Sequence, residues 1–356
     1  MGLFGLIQSK KLVGLDIGSY ALKVVQLRKK GNKYELAALA YEPLPHQTIV
    51  DGSIMDSAVI SDSIQRIFYE AKSKVNNVAF GVSGSSVMVK KIEVEKTNAK
   101  QLHEDIQWEA KPHIPFDTNE IKMDYEILDN PDAMSGKVSV LLTAVKNEKI
   151  NEYVEVINLA GKVPVLIDID AFAILNNVMY NYPDVVDKTC ALINIGASLT
   201  NILIAKNGVP VFVRDIPMGG NQFTDLIQKE LSLKYEKAEL VKKGRQVEDV
   251  SPAGVKPVID MILKELRSEI EKTFQFYRSN VTESRIDLIM LCGGTASMDN
   301  ITTVFQNAFE IPVQVSNPFK NVEINPNRFD ASYIGEMAPA FNVAVGLALR
   351  EFGDKE

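Results

Sequence analysis

Between residues 11 and 41, apolar and polar side chains alternate through "KLVGLDIG", "ALKVVQLRK" and "KYELAALAYE". Period-two alternation interrupted at Gly18-Ser19 and again at Gly31-Asn32 predicts three β-strands joined by tight turns. The period then changes. Val59, Ile60, Ile64, Ile67, Phe68 and Ala71 fall on one stripe at helical spacing, which predicts a helix from about Asp56 to Lys74. "VNNVAFGVSG" returns to strand and ends in glycine, so the first segment reads β-β-β-α-β.

From Ser85 to Gly161 the character differs. "VMVKKIEVE" is strand-like, and "NAKQLHEDIQWEAKPHI" begins as an amphipathic helix that Pro112 and Pro115 break. "IKMDYEILD" and "GKVSVLLTAVK" alternate as paired strands, and "NEKINEYVEVINLAG" reads as a helix ending on Gly161. The segment is a β-α-β-β-α module inserted into the first domain, which resumes with strand "VPVLIDID" and helix "AFAILNNVMY". From Cys190 the opening pattern restarts: three strands in "CALINIGASLTNILIAKNGVPVFVRDIPM", then a helix from "GGNQFTDLIQKELS". Helices around "YEKAELVKKG" and "PVIDMILKELRSEIEKTFQFYRS" follow. "RIDLIMLCGGTASMDNITTVFQNAFEIPVQV" reads as strand, Gly-Gly, a helix starting at about Ala296, and strand. "APAFNVAVGLALREFG" predicts a closing amphipathic helix.

The restart is a repeat. Asp16-Ile17-Gly18-Ser19 and Asn194-Ile195-Gly196-Ala197 lie 178 residues apart, half of the 356-residue chain, and each sits between two apolar strands with a third behind. Two duplicated lobes on mixed sheets, each offering a turn to a shared cleft, is the economical α/β architecture.

Composition narrows the partners. A net charge of −7 is the wrong sign for gripping a nucleic-acid backbone. No uncharged apolar run is long enough for a membrane-spanning helix. The leader "MGLFGLIQSKK" is too short for a signal peptide and has its lysines on the wrong side. It reads as a flexible leader capped by the first strand, with a weak interfacial foot as the alternative. Cys190 and Cys292 sit in apolar strands as inert thiols, and His46, His103 and His113 share no metal-binding spacing. These features together point to the cytoplasm.

A nucleoside triphosphate held between two lobes needs converging N–H donors, a hard oxygen site for its metal, and a bare backbone against its sugar and base. The turns at 16–20 and 194–198 offer N–H groups from opposite sides, through Gly18, Ser19 and Tyr20 and through Gly196, Ala197 and Ser198. Asp16 is the candidate ligand for Mg²⁺, through water. Gly293, Gly294 and Thr295 lie between a buried strand and a helix, where a ligand can touch backbone; a plain strand-to-helix turn is the other reading.

Three such loops on duplicated lobes resemble the actin-like ATPase superfamily, which includes actin, the heat-shock ATPases, sugar kinases and FtsA. "LDIGSYALKV" and "INIGASLTNI" are similar to its two phosphate motifs and "LCGGTASM" to its adenosine motif. "LIDIDAFAIL" and "APAFNVAVGLAL" are placed like its two connecting motifs. The small β-α-β-β-α (SHS2-like) insertion resembles the FtsA branch, and "WEAKPHIPFDTNEIKMDYEIL" closely resembles the PilM family of type IV pilus assembly. The chain stops at "LREFGDKE", without the amphipathic tail typical of FtsA.

The resemblance implies an actin-like ATPase fold with residues 1–84 opening subdomain 1A and 85–161 as the inserted subdomain 1C. Residues 162–187 and 338–356 complete 1A, 188–227 with 285–337 form 2A, and 228–284 form 2B. It further implies ATP and Mg²⁺ as cofactors and a role as a platform at the inner membrane. There the N-terminal cytoplasmic tail of PilN docks in a groove between the main and inserted domains. Relatives place side chains beside adenine and ribose where Glu239, Lys242 and Lys243 stand, although a solvated charged face accounts for them equally. Relatives also have a glycine pair where Gly219 and Gly220 stand, either lining the cleft or opening a helix.

Many members carry Asp where this chain has Asn194, and an amide neither holds the charge nor accepts a proton. That favours binding over turnover. Asp170, placed like the connecting-motif carboxylate, is the candidate to position water, or else an N-cap for "AFAILNNV". A hydrolysing ATPase, a small-molecule kinase and an FtsA-like filament former remain the alternatives on this fold.

Overall fold

In a computed structural model, which describes residues 11–50, 52–128, 136–248, 250–280 and 285–350, the expected alternation becomes two sheets of the same plan. The leader and the last residues, 351–356, lie outside the described residues. The first lobe runs β1 (Val13–Ile17), β2 (Ala21–Lys30), β3 (Lys33–Pro43), a small ribbon of β4 (Ile49–Val50) and β5 (Ser53–Ile54), α1 (Ser57–Glu70) and β6 (Asn77–Val82). The insertion follows as β7 (Val87–Glu95), α2 (Ala99–Ala110), β8 (Ile121–Leu128), β9 (Lys137–Lys146) and α3 (Asn147–Leu159). Strand β10 (Val163–Ile169) and helix α4 (Asp170–Asn181) return to the first lobe.

The second lobe has β11 (Thr189–Ile195), β12 (Thr200–Lys206), β13 (Val209–Ile216), α5 (Gly220–Leu231), α6 (Tyr235–Lys242), α7 (Pro252–Asn280) and β14 (Leu288–Cys292). It ends with α8 (Ile301–Phe309) and β15 (Val313–Val315), and β16 (Val322–Glu323), α9 (Ala331–Met337) and α10 (Asn342–Ala348) then pack back onto the first lobe.

One sheet has the order β10-β6-β1-β2-β3-β16, and the other β13-β12-β11-β14-β15. In each, three antiparallel strands are followed by two parallel ones, β1-β6-β10 matching β11-β14-β15. Parallel strands need covering on both faces, and here helices cover them. Helix α1 starts where Asp56 accepts the Val59 N–H at 3.0 Å, and it buries Ile60, Ile64, Ile67 and Phe68. A single apolar core runs from the first sheet through α1, α3 and α4 to Cys190, Leu192 and Met290 of the second. The opposite face of the second sheet packs on α7 and α8 through Leu266, Ile270, Phe274 and Phe305. The insertion is a three-stranded sheet, β7-β9-β8, with its own small core around Ile106 and Leu142.

Some elements differ from expectation. The ribbon β4–β5, strand β16 and helix α9 carry too short a pattern to be read from periodicity. After Gly293 comes a 3₁₀ turn over Gly294–Ser297, and the helix expected near Ala296 begins at Ile301. The closing helix is not amphipathic: every residue of α10 is buried, because it wedges between α4 and β1. Among the described residues no helix is long and apolar enough to cross a membrane.

Glycine makes that wedge possible. A Cβ on Gly346 would stand 1.8 Å from the Ala173 carbonyl oxygen, and one on Gly14 2.2 Å from that of Ala344. Gly346→Ala is expected to destabilise the protein by about 2 kcal/mol or more through overpacking. Gly335→Ala, on an α9 position where a Cβ meets nothing within 4 Å, should leave stability unchanged or slightly raised. Urea midpoints of the two variants check this contrast.

Candidate functional site

The two repeated turns are built alike. The Gly18 N–H donates to the Ala21 carbonyl at 3.2 Å, and the Gly196 N–H to the Leu199 carbonyl at 2.9 Å, positions again 178 residues apart. Neither glycine has a positive φ. Glycine is needed for space instead: a Cβ on Gly18 would lie 2.8 Å from Lys23 Nζ, and one on Gly196 3.0 Å from the Leu199 carbonyl. The intervening N–H groups of Ser19, Tyr20, Ala197 and Ser198 donate to no backbone acceptor among the described residues. Both turns face one cavity of about 440 Å³ between the lobes.

That cavity collects Asp16, Gly18, Ser19 and Tyr20 from the first turn and Asn194, Gly196, Ala197 and Ser198 from the second. Gly220, Glu239, Lys242, Gly293, Gly294, Thr295 and Asp170 line it as well. Of the residues expected at the site, Gly219 alone lies behind the lining. It opens α5 and packs against the second turn, where a Cβ would meet the Gly196 carbonyl at 2.6 Å. Gly293 has a φ of +88° and sits under Ile195, so it is required both by conformation and by space.

Strand register arranges the polar groups. Asp16 pairs with Lys23 across β1–β2, and Asn194 with Asn201 across β11–β12, the same offset once more. In the first lobe the pair is an ion pair, Lys23 Nζ to Asp16 Oδ2 at 3.2 Å, with both side chains only 13% exposed. In the second lobe it is an amide pair, with Asn194 Nδ2 donating to Asn201 Oδ1 at 2.8 Å. The row continues to Asp215, which accepts from Asn201 at 2.8 Å and, across the lobes, from the Gly84 N–H at 2.6 Å. Burial raises the Asp215 carboxyl above the usual range, against the pull of those two donors.

Asp170 heads α4, yet its carboxylate caps no helix N–H. It turns into the cavity and accepts from Ser83 Oγ at 2.6 Å, a position left open because Gly81 has no side chain. Enclosure by protein, reinforced by the negative charge of Asp16, pushes its pKa up to about 7, while the Ser83 hydroxyl works the other way.

Glu239 is buried and accepts from Thr224 Oγ1 and Lys242 Nζ; Lys242 also donates to Thr224 Oγ1 at 2.8 Å. Burial lowers the Lys242 ammonium and Glu239 opposes this. These two are therefore no solvated face. Lys243 does reach out, bonding the Tyr20 hydroxyl at 3.2 Å across the cleft. Strand alternation lets Lys23 face the cleft or solvent, so sequence reasoning leaves it out of the site, and it misses Asn201, Ser83, Tyr153, Arg245 and Glu336; all six line the cavity. For Lys23 and Asn201 the signal was present: a hairpin centred on Gly18–Ala21 makes residues 16 and 23 cross-strand neighbours.

A second feature lies outside the cleft. The outward face of α3 forms a shallow depression lined by Asn151, Val154, Glu155, Asn158 and Leu159. Beside it β10 is an edge strand, with Val163 and Ile167 49% and 40% exposed, and Leu159 57% exposed.

A family model described as type IV pilus assembly protein PilM matches residues 14–352. The chain belongs to the PilM family. Among solved structures, a PilM–PilN type IV pilus biogenesis complex is similar at 28% identity and a TM-score of 0.85, over 96% of this chain and 98% of that one. FtsA of Bacillus subtilis, a cell-division protein, is 23% identical over 94% of this chain and 82% of the relative. MreB 5 of Spiroplasma citri bound to AMPPNP aligns at 14% identity and a TM-score of 0.53, over 95% of each chain. The fold of this PilM-family chain is that of the actin-like ATPases, two lobes with a small inserted module.

Asp170 gives the cleft a pH signature. Its carboxyl holds the proton more tightly when folded, so its contribution to stability is complete below about pH 4 and is lost as pH rises through about 7. Asp170→Asn cannot ionise. It should stabilise the ligand-free protein at pH 8 by about 1–2 kcal/mol and little at pH 5. That is well short of the ~4 kcal/mol expected in a closed interior, because one side faces water. Urea denaturation at the two pH values measures the difference.

Proposed function

We propose that this PilM-family protein is a nucleotide-loaded scaffold of the type IV pilus inner-membrane assembly complex, gripping ATP with Mg²⁺ and turning it over slowly or not at all. The observation that carries this reading is the asymmetry of two otherwise matching turns. Asp16 with Lys23 offers a carboxylate for a hydrated cation and an ammonium for a phosphate. Asn194 with Asn201 offers only amides, locked to each other. The cavity suits such a ligand: N–H groups without a backbone acceptor converge from both turns, and Gly18, Gly220 and Gly293 line it with bare backbone. Glu239 and Lys242 would hold the sugar hydroxyls. Bound Mg²⁺ would supply neutralising charge for the phosphates, with Asp16 as its protein anchor.

The partner is the N-terminal cytoplasmic tail of a PilN-type membrane protein. The similar solved structure is named as a PilM–PilN complex. An extended peptide gains backbone pairing at a sheet edge and apolar pockets beside it. The edge of β10 with Leu159, Val163 and Ile167 offers both, at the junction of the insertion and the first lobe. Such docking would hold the protein at the cytoplasmic face of the inner membrane.

One observation favours a second reading, a hydrolysing ATPase. Asp170 is a half-buried carboxyl facing the cavity with its pKa pushed up to about 7, as a base that orients water requires. The two readings part on phosphate release. The scaffold releases phosphate at background rate, whereas sustained release abolished by Asp170→Asn would establish the enzyme.

For binding, a fluorescent ATP analogue with Mg²⁺ should bind wild type, and Asp16→Ala should weaken it at least ~10-fold, the loss of one charged contact. Equal affinity would remove Asp16 from the site. In calorimetry, a synthetic PilN N-terminal peptide should bind wild type, and Leu159→Asp should weaken it by about 10-fold or more, since a charge replaces a buried apolar contact. Absence of any heat in wild type, with and without Mg-ATP, would sink the platform.

A further inference from the structure

An ionised carboxylate only accepts hydrogen bonds, whereas an asparagine amide has one accepting and one donating end. A row of amides that ends on a carboxylate therefore has a direction. In the second lobe strand register sets out such a row. Asn201 of β12 stands opposite Asn194 of β11 on one side and Asp215 of β13 on the other. Asp215 Oδ2 accepts the Gly84 N–H at 2.6 Å across the lobes, and its Oδ1 accepts from Asn201 Nδ2 at 2.8 Å. With its donating end so engaged, Asn201, at 4% exposure, turns its Oδ1 to Asn194, whose Nδ2 donates to it at 2.8 Å. Every bond in the row points toward Asp215.

The last amide in the row faces the cleft. Asn194 gives its Nδ2 to Asn201 and leaves its Oδ1 at the cavity wall, where a Cβ on Gly293 would stand 2.8 Å from it. Among the described residues that oxygen accepts no hydrogen bond. Asp215 itself stands behind the lining. On the far side the connection continues along the chain, since Gly84 follows Ser83 and Ser83 Oγ donates to Asp170 at 2.6 Å. The cleft thus receives oxygens from three segments, through Asp16, Asp170 and Asn194. A fastening between the lobes needs only the bond to Gly84. It gives no reason for two asparagines in register behind it, where apolar side chains would pack with no polar atoms to satisfy.

We propose that Asp215 is a positioning residue for the cation end of the nucleotide: it fixes the direction of the row, so that Asn194 meets the ligand with its carbonyl oxygen. The proposal rests on the nucleotide reading above. A carbonyl oxygen accepts a hydrogen bond from water held by Mg²⁺, and an amide NH₂ in the same place would repel that water. The carboxylate that residue 194 lacks is therefore present in the lobe, two strands away, and acts through two amides. The ends of the row can be exchanged. Asn194→Asp alone sets Asn201 between two groups that only accept, so one end of its amide faces an oxygen it cannot bond. Asp215→Asn alone offers a single accepting end to two donors, Asn201 Nδ2 and the Gly84 N–H. With both substitutions every side-chain bond reverses and each is satisfied. The Gly84 N–H then meets the new amide's oxygen, the new amide donates to Asn201 Oδ1, and Asn201 donates to the new carboxylate.

The test is a double-mutant cycle on the full chain with two readouts. In urea denaturation without ligand, each single variant should lose stability and the double variant regain it. The coupling should be at least ~5-fold in the unfolding constant, as for groups that share one hydrogen-bond network. In titrations with a fluorescent ATP analogue, the gain in affinity on adding Mg²⁺ should fall ~5-fold or more in Asp215→Asn. In the double variant that gain should exceed the wild-type one, because a carboxylate then faces the cation. A merely structural Asp215 would lower stability equally in both backgrounds at residue 194 and leave the Mg²⁺ gain unchanged, which overturns the proposal. So does Asn194→Asp with wild-type stability. Should a single variant not fold, a folded double variant is itself the rescue, and a double variant that also fails to fold counts against the row. If wild type binds no nucleotide, the nucleotide reading falls and takes the cation role with it. That result is distinct from bound nucleotide with an unchanged Mg²⁺ gain, and the stability cycle still decides the direction of the row.

Discussion

Backbone lies on backbone where α10 passes between α4 and β1, and the geometry of the cleft depends on that contact. Gly14 and Gly346 are the residues that allow it, because any side chain at either position would occupy a carbonyl of the neighbouring element. The consequence reaches the site directly. Asp16 lies two residues beyond Gly14 on β1, and Asp170 opens the α4 helix that Gly346 rests on. Val343 of α10 reaches the cavity wall between them. The spacing of the two carboxyls is therefore a packing distance, set by a wedge buried on every side and with little room to relax.

Polar contacts set the relation of the lobes around that wedge. Asn342 of α10 accepts from Asn177 of α4 and from Ser316, both at 2.7 Å, and donates to the Pro339 carbonyl at 2.9 Å. Asn181 joins α4 to the chain returning from the second lobe, donating to Pro318 and accepting from the Asn321 N–H. Each of these buried amides has hydrogen-bond partners that offset its loss of water, so the network specifies one arrangement. On the cleft side the lobes also meet through Asp215 and Gly84, and through Lys243 and Tyr20. The cavity is thus framed by directional bonds at its base and at its mouth, with apolar core behind.

Duplication makes the site legible and its asymmetry informative. Matching hydrogen bonds close both turns, and matching register brings residues 16 and 23, and 194 and 201, together. Against that common frame the change from a carboxylate–ammonium pair to an amide pair is a chemical difference at one geometric position. The second lobe keeps a carboxylate, Asp215, one strand further along, where two donors hold it as a fastening between lobes. Asp170 was ambiguous as a string of letters, since an acidic residue before "AFAILNNV" reads equally as a cap. The structure resolves it: Ser83 holds the carboxylate in the cavity, and the first turn of α4 does without a side-chain cap.

From the sequence alone came the strands, the long helices, the repeat, the insertion and the loop residues that line the cavity from the two turns and from Gly293–Thr295. Each of these depends on periods and turns that a few neighbouring residues set. It also contained the Asp16–Lys23 and Asn194–Asn201 partnerships, because hairpin register is local. Tertiary structure alone decided what joins distant segments. Gly52, Ser83, Tyr153 and Glu336 reach the cleft from four separate stretches, and no local pattern marks them. Lys149 reads as one charge on an amphipathic helix until α3 packs onto the ribbon and turns it inward. Gly219 stands beside Gly220 in the chain, yet packing puts one behind the cavity wall and the other on it. Burial and charge around Asp170 are sums over many segments, and a sum of that kind exists only once the chain has folded.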